Sequence, residues 1–272
     1  MFYLFSTNTD REIFRFGREG RGVCEFYYPF FLVNSFAYDS LIIYDSPAAT
    51  LTKIDLAALV ENQDITKCVN SEHLYRNLNF MYNFNKVDSA FIGTFIEKDE
   101  GLFSFCNRNN GQIKNTDYVP YYFYEKGRKD AYCHHVLVSE KDNSIIVPFK
   151  YMNLINCYDL DGNLKVTYAL DWIKEEINTQ IRVDEHTTVT FYRTYATRNR
   201  CYLVWDGHKI EEELRKYPAK IVVMNWQGEL EKVYQLDNFA DFIIPDEKQR
   251  MIYVGVYNAG LEFVEIYKYP ML

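Results

Sequence analysis

The feature that most constrains this chain is an internal repeat of a turn followed by a strand. Tyr158-Asp159-Leu160-Asp161-Gly162-Asn163-Leu164-Lys165-Val166-Thr167-Tyr168-Ala169-Leu170 aligns without gaps on Met224-Asn225-Trp226-Gln227-Gly228-Glu229-Leu230-Glu231-Lys232-Val233-Tyr234-Gln235-Leu236. Gly, Leu, Tyr and Leu coincide. Weaker copies stand at Asn107-Arg108-Asn109-Asn110-Gly111-Gln112-Ile113 and Ser6-Thr7-Asn8-Thr9-Asp10-Arg11-Glu12-Ile13. Each predicts a hairpin whose Gly, Asn or Asp supplies a positive φ. The turns fall near 10, 111, 162 and 228, and the first gap is wide enough for one more unit with a disguised turn within 27–82.

Strand-like runs fill the intervals. Phe30-Phe31-Leu32-Val33, Leu41-Ile42-Ile43-Tyr44, Ala90-Phe91-Ile92-Gly93-Thr94-Phe95, Val136-Leu137-Val138, Ser144-Ile145-Ile146-Val147, Cys201-Tyr202-Leu203-Val204-Trp205, Ile221-Val222-Val223-Met224 and Met251-Ile252-Tyr253-Val254 are β-branched or aromatic and short. Helical periodicity is confined to Ile54–Val60, Asp171–Ile177 with Asp171 as N-cap, and Lys209–Lys216 before Pro218. Three short helices cannot cover a parallel sheet on two faces, which disfavours α/β.

A four-strand rhythm repeating every 40 to 65 residues, roughly, is the signature of a β-propeller with loop insertions. The fold class expected is therefore all-β, a β-propeller of four-stranded antiparallel blades with short helical insertions. The whole chain, 1–272, forms one domain with five visible units: 25–82, 88–124, 131–170, 187–236 and 239–272. Large side chains must fill the wedges between blades, which gives a use to 24 Tyr and 20 Phe. The last unit shows three strands, Phe239–Ile244, Met251–Tyr257 and Glu262–Tyr267. Residues 1–17 form a leftover hairpin. Pairing of Phe2–Phe5 or Glu12–Phe16 with that last unit would close the ring and hide a sheet edge. A six-bladed protein lacking its first strands is the alternative.

One stretch is more specific. Phe16-Gly17-Arg18-Glu19-Gly20-Arg21-Gly22 leads to Glu25-Phe26-Tyr27-Tyr28-Pro29, then to Leu41-Ile42-Ile43-Tyr44-Asp45-Ser46 and Leu51-Thr52-Lys53-Ile54-Asp55. This resembles an NHL-type propeller repeat, and within that class the six-bladed TolB-like propellers abundant in gut Bacteroidetes. The glycines let the chain turn sharply between blades, Phe26 can fill a wedge, and Pro29 can open a strand that needs no N–H there. The resemblance implies an exported protein, periplasmic or at the cell surface. The start, Met1-Phe2-Tyr3-Leu4-Phe5, has no basic region ahead of its apolar residues and does not look like a signal peptide.

Charge and motif content narrow the function. A formal net charge of −8 argues against non-specific nucleic-acid binding, and no apolar run is long enough for a membrane span. No G-x-S-x-G, HExxH, P-loop or CxxC occurs. The six cysteines, at 24, 68, 106, 133, 157 and 201, lie mostly in apolar runs and read as buried free thiols. No zinc site, no tight calcium site and no cofactor are expected. Asp159-Leu160-Asp161-Gly162-Asn163 hints at a calcium loop, but Cys157 stands where an oxygen ligand would be needed, so it reads as a plain hairpin. The basic run Arg11, Arg15, Arg18 and Arg21 is interleaved with Asp10, Glu12 and Glu19 and reads as a solvated face. So does Glu211-Glu212-Glu213.

His134-His135 is the one histidine cluster, and on a strand the two rings point to opposite faces. Propeller ligands sit over the central channel, near the starts of inner strands. That register selects His134, His135, Tyr192 and Arg193 as binding residues. A basic and aromatic set suits an anionic or sugar-like ligand. The expected function is a non-enzymatic scaffold binding an unidentified small molecule, glycan or protein at the channel face. The alternative is a metal-dependent propeller hydrolase or lactonase, which would need three or more carboxylate or amide groups converging on the axis. A periplasmic assembly role follows from the TolB-like resemblance alone.

Overall fold

The structure is a computed structural model, which describes residues 2–6, 9, 11–32, 39–95, 101–118, 132, 134–170, 183–212, 217–258 and 263–271. Strands follow one another as antiparallel neighbours. A two-stranded ribbon comes first, β1 (Phe2–Phe5) with β2 (Glu12–Phe16). The first four-stranded sheet holds β3 (Pro29–Phe31), β4 (Ser40–Asp45), β5 (Thr50–Asp55) and β6 (Val69–His73) in that order. The second holds β7 (Met81–Lys86), β8 (Ala90–Phe95), β9 (Ser104–Asn107) and β10 (Ile113–Asn115). The third holds β11 (Leu137–Ser139), β12 (Ser144–Pro148), β13 (Ile155–Tyr158) and β14 (Leu164–Tyr168). The fourth holds β15 (Thr188–Ala196), β16 (Arg200–Lys209), β17 (Lys220–Asn225) and β18 (Leu230–Gln235). The last has three strands, β19 (Phe242–Asp246), β20 (Met251–Asn258) and β21 (Phe263–Pro270). Met81–Lys86, at the border of the first two expected units, opens the second sheet.

Helix is scarce among the described residues. α1 spans Leu56–Asn62 and is capped by the Asp55 side chain, which accepts from the Ala58 N–H. Its left-handed stop at Gln63 returns an N–H to the Leu59 carbonyl. The expected helix at Lys209–Lys216 is corrected in part: Lys209 ends β16 and a turn follows, because Glu212 accepts from the Lys209 N–H and tightens the exit. Its remainder, and Asp171–Ile177, lie outside the described residues.

Two compact units divide the chain. One comprises Met1–Asp99 and Ser104–Lys114, the other Glu100–Phe103 and Asn115–Leu272. In the first unit the Gly-rich loop closes on the Glu25 carboxylate. Arg18 Nε donates to it at 2.5 Å and the Gly22 N–H at 2.7 Å. A Cβ at Gly20 would lie 2.1 Å from Glu25 Oε2, so the loop can wrap the carboxylate only with glycine there. Phe26 is buried with Phe16, Ile43, Ile54 and Leu59, and Asp45, also buried, accepts from the Tyr27 and Tyr28 N–H groups ahead of Pro29. A second cluster stacks Tyr44 on Phe84 with ring centroids 4.0 Å apart.

In the second unit the repeated turns have the same chemistry. Asp159 Oδ1 accepts from the Asp161 and Asn163 N–H groups, and Asn225 Oδ1 accepts from those of Gln227 and Glu229. Gly162 and Gly228 take φ of 86° and 87°. The two copies thus form the same Asx-turn hairpin, with Asp159 in one and Asn225 in the other and a coincident glycine at the positive φ. The strands after them, β14 and β18, expose most of their side chains, whereas β11 and β12 are wholly buried. The core of this unit gathers Tyr202, Val204, Ile221, Val223, Leu236, Ile243, Ile252 and Val254.

Candidate functional site

The site is built on β15 and β16, where the antiparallel ladder is irregular. Pairing runs Val189 to His208, Phe191 to Trp205 and Arg193 to Val204. An extra residue therefore sits on β16 between Trp205 and His208, and another on β15 between Phe191 and Arg193. Gly207 makes the first bulge possible: its φ is +69°, and a Cβ would fall 2.0 Å from the Trp205 ring. Bulges re-aim side chains. Asp206 and His208, on either side of Gly207, are 3% and 1% exposed.

Thr190 anchors the start of β15. Its N–H donates to the Lys150 carbonyl at 2.7 Å, and its hydroxyl lies within bonding distance of the Phe149, Lys150 and Met152 carbonyls. This holds the segment after β12 against β15. Lys150 Nζ then stands 4.4 Å from the Tyr192 ring centroid and Arg193 Cζ 4.0 Å from it, two cations on one aromatic ring. Arg193 Nη2 faces Asp241 at 3.6 Å, while the other Asp241 oxygen accepts from the Tyr257 N–H.

His135, Tyr192 and Arg193 come together. His135 Nε2 lies 2.8 Å from the Tyr192 carbonyl, so Nε2 carries the hydrogen, since a carbonyl can only accept. Burial, with Lys150 and Arg193 nearby, holds the His135 imidazole below its ordinary pKa and neutral. His134 does not join them. Its Nδ1 bonds the Tyr132 carbonyl, its ring lies against Phe149, and burial pushes its pKa down to about 4.

Three further residues belong to the cluster and were not singled out from the sequence: Lys150, Asp206 and His208. Burial pushes the Asp206 carboxyl up to about 7, against the opposing pull of Arg193 and Lys150. The same two cations bear on His208, whose pKa burial lowers. Arg193 Nη1, both Asp206 oxygens and both His208 ring nitrogens are buried without a hydrogen-bond partner. Buried polar atoms left unpaired are costly in a folded protein, so such a concentration marks a place where something else completes the bonding. The available sign was Trp205-Asp206-Gly207-His208 itself, an acid and a glycine closing an apolar strand.

Among the described residues, no group of three or more His, Cys, Asp or Glu side chains is arranged to hold a metal ion. Cys24, Cys68, Cys106, Cys157 and Cys201 are buried free thiols, and burial raises the pKa of Cys24 and Cys157 to about 11. Cys133 lies outside the described residues. No described helix is long and apolar enough to cross a membrane.

With this geometry in hand, likeness to known proteins adds the fold. No family model and no curated protein matches the chain. Among solved structures it is similar to a member of the DUF4221 family from Bacteroides vulgatus, at 13% identity over 98% of this chain and 86% of that one, with a TM-score of 0.59. The fold is a β-propeller. A functionally unknown protein from Desulfotomaculum acetoxidans is similar at 13% identity over 97% of this chain and 74% of that one, with a TM-score of 0.43. BamB from Moraxella catarrhalis is similar at 7% identity over 97% and 66%, with a TM-score of 0.40. At these identities the likeness concerns fold alone. The expected all-β propeller of antiparallel four-stranded blades is present, with four sheets of four strands and a fifth of three among the described residues.

Proposed function

We propose that the protein is a binding scaffold and not an enzyme, and that its ligand site is the cluster of His135, Lys150, Tyr192, Arg193, Asp206 and His208. The observation that carries this reading is the set of buried, unpartnered polar atoms on Arg193, Asp206 and His208. Lys150 and Arg193, both only partly buried, stand over the Tyr192 ring in the same cluster. Polar recognition groups at one spot on a rigid sheet are what a small-molecule or glycan site requires. A metal-dependent hydrolase or lactonase is the second reading. It requires carboxylate or amide ligands gathered around an ion, and Lys150 and Arg193 would repel a cation here. We assign His134 to packing beside Phe149.

The Gly-rich loop closed on Glu25 supports kinship with NHL-type, TolB-like propellers, whose members point to the cell envelope. Closure of the last sheet by residues 1–17 belongs to the same proposal, and a six-bladed form lacking its first strands is the alternative to it.

The test is a thermal-shift and calorimetric screen of purified protein against neutral sugars, acidic sugars and small organic acids, repeated with Arg193→Gln. Binding that the variant loses, while its unfolding temperature without ligand is unchanged, supports the reading. Stoichiometric metal in freshly purified protein, with hydrolysis of a lactone or ester panel, would transfer the site to the hydrolase reading.

A further inference from the structure

The cluster has a floor and a rim. Asp206 and His208 form the floor, nearly inaccessible to water. Arg193 and Asp241 form part of the rim, each with a side chain 21% exposed, and Lys150 and Tyr192 are likewise only partly buried. The buried atoms without a hydrogen-bond partner here are Arg193 Nη1, the Asp206 oxygens and the His208 nitrogens.

Resting on the binding reading above, we propose that this site takes a small molecule through a carboxylate, held by Arg193 and Lys150 while Asp206 carries a proton that it donates to the ligand. Charge balance selects this ligand. With Asp206 ionised, Lys150 and Arg193 are matched by Asp206 and Asp241, and an anion would enter a neutral site beside a buried negative charge. With Asp206 protonated one positive charge is left over, enough for one monoanion but not for a dianion. A divalent cation would face two fixed positive charges. Geometry agrees: a guanidinium edge matches the two oxygens of a carboxylate, and the free Nη1 supplies donors for it. His208, neutral, adds one donor and one acceptor for other groups of the ligand.

The groups facing Asp206 are Arg193 from β15, Lys150 from the segment after β12 and Asp241 ahead of β19. His208 shares its strand, with Glu212 near that ring. Burial pushes Asp206 up to about 7, so its proton is present at mildly acidic pH and must be taken from solvent above neutrality. No bond breaks. Above neutrality, close to one proton moves from solvent to Asp206 for each carboxylate bound; at mildly acidic pH it is already in place.

Isothermal titration calorimetry with acetate, glucuronate, glucose and inorganic phosphate, at pH 6 and pH 8 in buffers of differing ionisation enthalpy, tests this. Acetate and glucuronate should bind about tenfold more weakly at pH 8 than at pH 6, with close to one proton taken up at pH 8. Asp206→Asn, neutral at every pH, should bind them with no such pH dependence. Arg193→Gln should weaken them at least tenfold. An unchanged pH dependence in Asp206→Asn overturns the proton-coupled step. Phosphate bound more tightly than acetate at pH 8 overturns the carboxylate class. If glucose binds at this site and neither acid does, the inference fails and the scaffold reading stands. If Arg193→Gln and Asp206→Asn leave every probe's binding unchanged, or if no probe binds at either pH, both fall.

Discussion

Replacing Asp206 with Asn should make stability respond to pH in a way that can be calculated. Asp206 is 3% exposed and neither carboxyl oxygen has a partner. Its pKa rises from the ordinary 3.8 to about 7 because burial penalises the charged form more than Arg193 and Lys150 favour it. Between those two values the folded protein holds a proton that the unfolded chain has released. Stability contributed by the protonated carboxyl is therefore complete below about pH 3.8 and is lost as pH rises to about 7, after which this group adds no further slope. At roughly 1.36 kcal/mol per pH unit the loss is about 4 kcal/mol across the window. The amide of the Asp206→Asn variant has no such proton to lose. Urea unfolding followed by tryptophan fluorescence, at intervals from about pH 4.5 to 8.5, gives the difference curve between the two proteins. Over that range it should shift by about 3 kcal/mol in favour of Asp206→Asn as pH rises, and level off above about pH 7 to 7.5. Parallel curves, within about 0.5 kcal/mol, would refute the argument and mean that the native state already solvates or pairs this carboxylate.

Other expected outcomes concern the frame. Thr190→Val removes the hydroxyl that ties β15 to three carbonyls after β12. It should cost about 1 to 3 kcal/mol by urea unfolding and weaken ligand binding with it. Gly228→Ala forces a side chain at φ +87° with its Cβ 2.9 Å from the Tyr168 ring and 3.1 Å from Cys157 Sγ. It should lose about 1 to 2 kcal/mol or more, whereas the same change at solvent-facing surface glycines should cost less. Tyr44→Phe leaves the Leu78 carbonyl without the buried hydroxyl that serves it, at a cost of about 1 to 2 kcal/mol in chemical unfolding. Deleting residues 1–16 should lower hydrogen-exchange protection throughout the chain if they close the last sheet. Loss of protection confined to the neighbours of Phe2 and Phe16 would refute closure.

Most of the strands and their hairpins could be read from the sequence because they depend on local chemistry, although β15 and β16, at nine and ten residues, run well beyond the short runs expected. Alternating β-branched and aromatic residues make pleated, half-buried surfaces, and the Asx-turn at Asp159 and Asn225 needs only five consecutive residues. That the Gly-rich stretch turns sharply was legible from its glycines; that it closes on the Glu25 carboxylate was not. The nomination of His134, His135, Tyr192 and Arg193 rested on strand register; the last three lie together, whereas the His134 ring lies against Phe149. What no stretch of sequence contained was Asp206 and His208 beneath them. In a regular strand residues two apart share one face, and nothing local says how deep that face lies. Only a bulge at Gly207, paired against a second one on β15 and walled by a segment about 40 residues earlier in the chain, puts an acid and an imidazole in the dry and leaves them unpaired. Turn and strand preferences are properties of neighbours along the chain. Desolvation is a property of neighbours in space, and the shifted protonation of Asp206 arises from the second kind alone.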